Sequence, residues 1–448
     1  MSSLATAGKK RRKELMTLNM GPSHPAMHGI VRIVLDLDGE RIENADVEIG
    51  YLHRAFEKSS EQSGYLQVIP YTDRLNYVSP LINNVGYCMA VEKLFGIQTT
   101  ERSEYIRVVM SEFSRVSDHL TCVGASAMEL GVFTVFLYMV KAREMIYQLI
   151  ESVTGARLTI SYVRPGGVKA DLPAGFSDEA HKIIREVRSI LKECGALLTR
   201  NRIFVDRLKG IGIISKEDAL GYGITGPFLR STGIDYDVRK DSPYSVYNQF
   251  DFEIPVGACG DNYDRYLCRM EEIEQSLHIV EQALHKIPGG DFMSAPHAAM
   301  PAEEMVDLAK MGQTEGLAQT EVEPEPTLEG GTEKYFEMLQ TKDHRVVLPP
   351  KEKTYGNIEG LMQHFKLIMF GHGIAPPKGE VYQAVEGANG ELGFFVVSDG
   401  TGRPYRVRVR PPCFAIMAAL PLMLQGGTIA DVVPTFGSVN MIGGELDR

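Results

Sequence analysis

Two histidines near the N-terminus are the first residues of this chain that could transfer protons. His24 and His28 lie in the run GPSHPAMHG, residues 21–29. Pro22 and Pro25 disfavour a helix and predict a stiff, extended loop. An imidazole on such a restrained backbone can donate a hydrogen bond and deliver a proton near neutral pH. The alternative is that both rings only satisfy backbone groups in a turn.

A tyrosine supplies the second candidate. Tyr77 ends the polar, aromatic run YTDRLNY at residues 71–77, just before the turn residues Ser79 and Pro80. A phenol, with a pKa of about 10, can donate a hydrogen bond or a proton to a reduced oxygen. A purely structural tyrosine is the alternative.

A carboxylate beside an apolar run is the third candidate. Residues 128–150 are apolar nearly all round and predict a central helix, with Glu129 at its head. An isolated buried charge costs several kcal/mol, so this carboxylate must be paired, protonated or functional unless the helix end meets water. Asp118 and His119 could likewise be paired or functional, and the simpler interpretation is that they lie on a solvated helix face.

A glycine-rich segment formally matches the dinucleotide-binding fingerprint. GYGITG, residues 221–226, would need an apolar strand before it and a helix after it to bind phosphate. Instead, residues 215–218 resemble a capped helix start, which makes Gly221 a helix end, and Pro227 disfavours an immediate new helix. A nicotinamide dehydrogenase is therefore disfavoured.

Composition narrows the class of protein further. The chain has 448 residues, a net charge of −11 and six cysteines. No two cysteines stand at C-x-x-C spacing, so a zinc site or an iron–sulfur cluster held by this chain alone is disfavoured. The negative charge argues against nucleic acid as a partner. The longest apolar run, residues 130–140, is about half of the roughly 20 residues that a spanning helix needs, so it predicts a buried helix.

The patterns predict an α+β fold, with a large helical body between two β-containing units. Residues 30–38 and the segment after Asp38-Gly39 predict a hairpin. Residues 379–399 predict a second hairpin, followed by a strand at 405–410. The predicted units are a basic flexible tail (1–16), an N-terminal β unit with the GPSHPAMHG loop (17–60), a helical body (61–287), an acidic mobile insertion (288–350) and a C-terminal α/β unit (351–448).

Nine segments in this order resemble one family, the 49 kDa or D subunit of NADH:quinone oxidoreductase, respiratory complex I. They are MTLNMGPSHPAMHG (16–29), IGYLHRAFEK (49–58), YTDRLNYVSP (71–80), AVEKLFGI (90–97), SYVRPGGVKADLP (161–173), IPVGACGDNYDRYLCR (254–269), PPKGEVY (376–382), VSDGTGRPYRVRVR (397–410) and GGELDR (443–448). The resemblance covers nearly the whole chain, so it implies the fold as well as the function.

The resemblance implies a quinone site. His28 and Tyr77 match the family residues that contact the two carbonyl ends of the quinone headgroup, and His24 is assigned to quinone binding beside them. Glu129 matches the acidic partner of the loop histidine, where the family pattern LDLGAxTP has Asp and this chain reads MELGVFTV. Glutamate keeps the charge and adds a methylene, which alters the geometry towards His28.

The same family is related to the large subunit of nickel-iron hydrogenases, which holds its metal with two cysteine pairs. The corresponding segments here, RLNYVS (74–79) and NMIGGELDR (440–448), contain no cysteine, so that metal centre cannot assemble. The resemblance therefore implies a nickel-iron hydrogenase large-subunit-like fold without hydrogen chemistry.

The family's biology supplies the remaining expectations. No cofactor is expected on this chain: quinone is the substrate, and its electrons come from a 4Fe-4S cluster on the neighbouring terminal iron–sulfur subunit. Quinone reduction would be coupled to proton translocation by the membrane arm, whose subunit at the quinone entrance is a further expected partner. The chain would lie peripherally on the cytoplasmic face of the bacterial inner membrane, held by partner subunits. The alternative is a non-catalytic scaffold of a hydrogenase-related membrane complex.

Overall fold

The structure is a computed structural model that describes residues 15–24, 27, 30–293, 346–349, 351–369 and 374–448. Residues 1–14 of the predicted basic tail and most of the predicted acidic insertion lie outside the described residues. Among the described residues, no helix combines the length and the apolar character needed to cross a lipid bilayer. The fold is α+β, as predicted.

Three small antiparallel sheets contain the strands. The first has the order β1-β2-β3, the second pairs β4 with β5, and the third has the order β6-β7-β8. The bounds are Met16–Met20 (β1), Arg32–Asp38 (β2), Arg41–Glu48 (β3), Val163–Arg164 (β4), Gly167–Val168 (β5), Gly379–Gly387 (β6), Gly390–Ser398 (β7) and Arg406–Arg410 (β8). Both predicted hairpins are confirmed, because alternating apolar residues and tight turns are local signals.

Helices form the body between the first and third sheets. They are Phe56–Gln62 (α1), Tyr65–Thr72 (α2), Pro80–Phe95 (α3), Glu101–Glu129 (α4), Phe133–Thr154 (α5), Phe176–Leu198 (α6), Arg202–Leu208 (α7), Lys216–Gly221 (α8), Gly226–Ser231 (α9), Val238–Asp241 (α10) and Asn262–Lys286 (α11), with a 3₁₀ turn at Tyr247–Gln249. The C-terminal helices are Lys351–Gly356 (α12), Ile358–Ile368 (α13), Pro412–Leu424 (α14), Ile429–Val439 (α15) and Gly443–Leu446 (α16).

The predicted helix over residues 128–150 is wrong in its beginning. Glu129 is the last residue of α4, and α5 begins only at Phe133. Gly131, with a φ of 86°, turns the chain between the two helices. The predicted burial of this run is wrong as well, because the side chains of Phe133 and Leu137 are 56% and 53% exposed.

The glycine-rich segment follows a helix and not a strand. α8 begins after Ser215, whose Oγ accepts a hydrogen bond from the backbone N–H of Asp218, as predicted. The expectation that Pro227 prevents a new helix is wrong: α9 begins at Gly226, because proline is tolerated in a first helical turn. The missing strand removes the context that a dinucleotide fingerprint requires.

Two hydrophobic cores hold these elements together. The larger core joins α3 to α6 and α11 with the third sheet. The second core joins the first sheet to the C-terminal helices α14 and α15. The N–H of Ile42 in β3 also donates to the carbonyl oxygen of Gly427 at 2.9 Å. Both ends of the chain therefore meet in one packed region.

Candidate functional site

The loop between α2 and α3 presents the phenol of Tyr77. The ring is 40% exposed, whereas Leu75, Asn76, Val78 and Ser79 are all buried. The residues on either side of Tyr77 thus lie in the protein interior, whereas its aromatic side chain stays accessible. A ring with this placement can contact a ligand from outside while its backbone is held from inside.

Side chains fix the backbone on both sides of Tyr77. The amide oxygen of Asn76 accepts hydrogen bonds from the N–H groups of Val78 and Ser79, at 3.2 and 3.4 Å. Asn83, on α3, donates to the carbonyl oxygen of Asn76 at 3.0 Å. This arrangement is an Asx turn, a local structure that asparagine favours.

A buried carboxylate on α4 joins this loop to the C-terminal segment. Asp118 accepts hydrogen bonds from Asn76 Nδ2 at 2.8 Å, Ser79 Oγ at 2.7 Å and Asn440 Nδ2 at 2.9 Å. The solvated face proposed for Asp118 and His119 is wrong, because both side chains are fully buried. The segments RLNYVS and NMIGGELDR, separated by more than 300 residues, therefore meet at one carboxylate.

The short helix α16 reaches the same loop. A side chain at Gly444 would overlap the carbonyl oxygens of Arg74 and Leu75, so only glycine allows this approach. Arg54 donates to the carbonyl oxygens of Arg74, at 2.7 Å, and of Gly444, at 3.1 Å. Partial burial and the neighbouring Arg74 lower the pKa of this guanidinium.

Part of the histidine loop reaches the same helix. His28 lies outside the described residues, so its assignment stays a prediction. On the described side of the loop, Ile30 packs so closely on Gly443 that a side chain there would overlap it. His24 is exposed, and its carbonyl oxygen accepts the N–H of Met27 at 3.0 Å.

Glu129 lies against helix α15 and not at the head of a buried helix. Its Oε2 is so close to Gly437 that a β-carbon on that glycine would overlap it. Ser126, one turn earlier on α4, donates its hydroxyl to the carbonyl oxygen of Gly437 at 3.0 Å. Phe133 and Leu137, on the following helix α5, have exposed side chains.

Electrostatics keep protons on the groups around Tyr77. Burial of the ring and the nearby Asp118 and Cys413 raise the pKa of the Tyr77 phenol. Burial beside Glu445 raises the pKa of the Cys413 thiol well above its usual range. Burial raises the pKa of Glu445 to about 7, although its Oε1 accepts the N–H of Cys413 at 3.0 Å. The phenol and the thiol are therefore neutral near pH 7, and the phenol can donate a proton.

Metal ligation finds no support in the described part of the chain. It contains no group of three or more histidine, cysteine or acidic side chains arranged to hold an ion. Cys259 is exposed and the other five cysteines are buried. Burial raises the thiol pKa of each of those five, which disfavours the thiolate form that binds metals.

Several residues at this site were not identified from the sequence. Arg54 and Glu445 lie inside the matched segments IGYLHRAFEK and GGELDR, so the resemblance included both residues, but it assigned neither of them a role. Asn440 begins the segment NMIGGELDR and Cys413 lies outside every matched segment, and only the fold brings them beside Asp118 and Tyr77. The structure thus unites four separate segments: the loop with Tyr77, the middle of α4, the chain after β3 and the C-terminus.

The described residues form a largely helical α+β fold in which an accessible phenol lies beside a buried polar cluster, and comparison with known proteins shows the family. The family model described as "Respiratory-chain NADH dehydrogenase, 49 Kd subunit" matches residues 129–324 and 328–448. The D subunit of the NADH-quinone oxidoreductase of Myxococcus xanthus is 49% identical over 97% of this chain and 92% of its own length.

Two further relatives are also named as subunits of NADH-quinone oxidoreductase. The D 1 subunit of the same enzyme from Sorangium cellulosum is 49% identical over 97% of this chain and 96% of its own length. The C/D subunit from Bdellovibrio bacteriovorus is 45% identical over 97% of this chain and 69% of its own length. The chain belongs to the family of the 49 kDa, or D, subunit of respiratory NADH dehydrogenase, as its motifs predicted.

Proposed function

We propose that this chain forms the quinone-reducing site of an NADH:quinone oxidoreductase. The observation that carries the proposal is the accessible phenol of Tyr77, held in a loop where the residues next to it on both sides, Asn76 and Val78, are buried. Hydrogen bonds fix that loop to α4 and to the C-terminal segment. The relatives named above are subunits of oxidoreductases that take quinone as their acceptor, which supports the same substrate here.

The chemistry of quinone reduction suits these donors. Quinone takes up two electrons and two protons to become quinol, and negative charge develops on both of its oxygens. Hydrogen-bond donors at both oxygens stabilise that charge and can supply the protons. Tyr77 would serve one oxygen and His28 the other, with His24 binding the headgroup from the same loop.

Glu129 would act as the relay carboxylate of this site. It ends α4 at a half-buried position, and the family resemblance makes the loop histidine its partner. The exposed apolar side chains of Phe133 and Leu137, on the following helix α5, would provide a surface for the apolar tail of a quinone. Reprotonation through Glu129 would then follow each reduction and bias the conformations that drive proton translocation elsewhere.

Electrons would reach the quinone from a 4Fe-4S cluster on the neighbouring terminal iron–sulfur subunit. Other expected partners are the membrane-arm subunit at the quinone entrance and the C subunit, since one relative is named a C/D subunit. We expect the chain to act only within this complex, bound through its partners to the cytoplasmic face of the inner membrane.

The substitution Tyr77→Phe tests the proposal because it removes only the phenolic O–H. We expect quinone reduction by the assembled complex to fall about 10²-fold, the usual contribution of a positioned acid. The measurement is NADH oxidation by membranes with quinone as acceptor.

An artificial one-electron acceptor that takes electrons before the quinone site serves as the control. Its reduction by NADH should be unchanged in the variant, which shows that the complex is assembled. Unchanged quinone turnover and unchanged inhibitor sensitivity in Tyr77→Phe would overturn the proposed role of this phenol.

A further inference from the structure

Asp118 occupies the contact point between the loop of Tyr77 and helix α4. A single carboxylate oxygen, Oδ2, accepts from Asn76 at 2.8 Å and from Ser79 at 2.7 Å. Asn76 directly precedes Tyr77, and Ser79 follows two residues later. The other oxygen, Oδ1, accepts from Asn440 at 2.9 Å. All three donors are neutral side chains, and both loop residues are buried.

We propose that Asp118 is a positioning residue for Tyr77: its carboxylate holds both flanks of the phenol-bearing residue against α4 and thereby sets the direction of the phenolic O–H. The inference rests on the proposed function, in which Tyr77 donates to a quinone oxygen. Asp118 itself would not touch the quinone.

The rigidity of α4, the helix that carries Asp118, favours this role. α4 is a 29-residue helix, and Asp118 lies in its fully buried middle. Asn76 transmits the restraint, because its Oδ1 binds the N–H groups of Val78 and Ser79 while its Nδ2 donates to Asp118. The backbone before and after Tyr77 is thus tied to one fixed point, which limits how far the ring can swing.

Only a carboxylate can accept all three hydrogen bonds. An ionised carboxylate has two oxygens with about four acceptor positions, whereas an asparagine has one oxygen and an NH₂ group that donates. In Asp118→Asn at least one of the three donors loses its acceptor, and the remaining bonds lose their charge assistance. The shape of the side chain stays the same, so the change acts mainly on the orientation of the loop.

The charge of Asp118 has a second effect on the same phenol. It contributes to the raised pKa of Tyr77, together with burial and Cys413. A carboxylate that both orients the phenol and favours its protonated form prepares it as a proton donor.

A double-mutant cycle in the assembled complex tests the inference. We expect Asp118→Asn to lower the kcat of NADH-driven quinone reduction about tenfold, with the KM for quinone nearly unchanged, because misplacing a donor slows the chemical step. In the Tyr77→Phe background the same substitution should have no further effect, since no phenolic O–H remains to be oriented.

Asp73→Asn is the matched control. Asp73 is also buried and also accepts from an asparagine and a serine, Asn84 and Ser161, neither of which flanks Tyr77. Any effect of this control on the rate should multiply with that of Tyr77→Phe. If Asp118→Asn prevents assembly, Ser79→Ala replaces it, because it removes one donor and keeps the carboxylate.

The outcomes separate the two proposals. A normal rate for Tyr77→Phe overturns the proposed function and this inference with it. A slow Tyr77→Phe, combined with an Asp118→Asn effect that is equal in both backgrounds or absent from both, overturns the inference alone. An effect of Asp118→Asn that disappears in the Tyr77→Phe background supports it.

Discussion

Two buried polar regions of this molecule hold their carboxylates in opposite ways. Around Arg230, arginines bind every carboxylate of a large ionic network. Around Asp118, neutral amides, a hydroxyl and backbone N–H groups bind the carboxylates. The pKa shifts of Glu272 and Glu445 illustrate this difference. Coulombic attraction to arginines lowers the pKa of Glu272 well below its usual range, whereas burial raises that of Glu445 to about 7.

The ionic network lies where helices α4, α9 and α11 meet the strand β6. Arg230 binds Glu272 at 3.0 Å, Glu386 at 2.9 Å and Asp237 at 3.3 Å. Arg239 binds Asp237 at 2.7 Å. The network also contains Arg115, Glu112 and the imidazole of His119, which lies 3.2 Å from Glu272.

One carboxylate of the network stands apart. The three arginines face four carboxylates, and burial beside Asp237 raises the pKa of Glu386 to about 7. Glu386 is thus the carboxylate of the network that can gain a proton near pH 7, whereas the arginines lower the pKa of the other three, Glu112, Asp237 and Glu272.

This contrast indicates which buried acids can take part in chemistry. The pKa of Glu272 is too low for its carboxylate to gain a proton near pH 7, whereas burial raises the pKa of Glu386, in the same network, to about 7. Burial raises the pKa of Glu445 to about 7 as well, and Glu445 lies one residue beyond Gly444, which contacts the loop of Tyr77. Because Glu445 adjoins that loop and the ionic network does not, we propose a structural role for the network and a functional role for the region around Asp118 and Glu445.

Arg230→Met should have the largest effect, because it disrupts the ionic network at its centre. It leaves Glu272, Glu386 and Asp237 without their shared cation, and removing one partner of a buried ion pair costs about 3–5 kcal/mol. We expect a much lower yield of folded subunit and a lower denaturation midpoint. Arg188→Met, which removes a part-exposed ion pair with Glu281, is the control and should cost about 0–1 kcal/mol. Equal losses in both variants would contradict a structural role for the network.

Glu272→Gln and Glu445→Gln contrast the two regions directly, because the same change should act with opposite sign. Glu272→Gln removes the anion that Arg230 and Arg239 bind, so it should destabilise by about 3 kcal/mol at pH 7. Glu445→Gln removes a carboxyl whose ionisation in the folded state is unfavourable, so it should preserve stability at high pH. Thermal denaturation of the subunit from about pH 5 to pH 8 measures both.

The sign for Glu445 follows from proton binding. Its pKa is about 7 in the folded chain and 4.5 ordinarily. Between these values the folded state holds the proton more tightly, so its contribution to stability is full below pH 4.5 and is lost as pH rises through 7. The contribution to the free energy of unfolding that is lost over this pH range is about 3 kcal/mol, at 1.36 kcal/mol per pKa unit. Glu386 titrates in the same pH range in the native chain and in Glu445→Gln, so its contribution cancels when the stabilities of the two proteins are subtracted. Parallel pH curves for the native chain and Glu445→Gln would contradict the assignment.

Gly437→Ala gives the smallest expected effect. The new methyl group would overlap Oε2 of Glu129, and the flexible carboxylate must move aside. Because alanine favours the helix by about 1 kcal/mol over glycine, stability should hold while quinone reduction falls a few-fold. Gly221→Ala is the control, since a methyl group there meets nothing within 4 Å. Equal rates in the two variants would place Glu129 outside the reaction.

Elements with a local signal were predicted well. The two hairpins follow from alternating residues and tight turns. The division between α4 and α5 was missed because the apolar run continues across Gly131. Hydrophobic periodicity gives the direction of a helix face but does not locate a break within a run that is apolar on every side.

For the candidate site too, the features with a local signal were predicted and those that depend on the fold were not. Residue types and motif order were enough to select His24, His28, Tyr77 and Glu129 as candidates and to indicate the family. The burial of Asp118 could not be inferred, because a charged residue in a helix is usually solvated. It became buried only because α3, α5, α11 and α15 surround α4.

Residue types and their neighbours along the chain were sufficient to indicate the family, to show the missing cysteine pairs and to predict most of the strands, but only some of the helices. The folded chain was needed to show which carboxylates meet arginine and which meet neutral donors. The strength of an electrostatic interaction depends on burial and on partners distant in sequence, such as Asn440 beside Asp118. Those partners separate the rigid ionic network from the region that holds Tyr77.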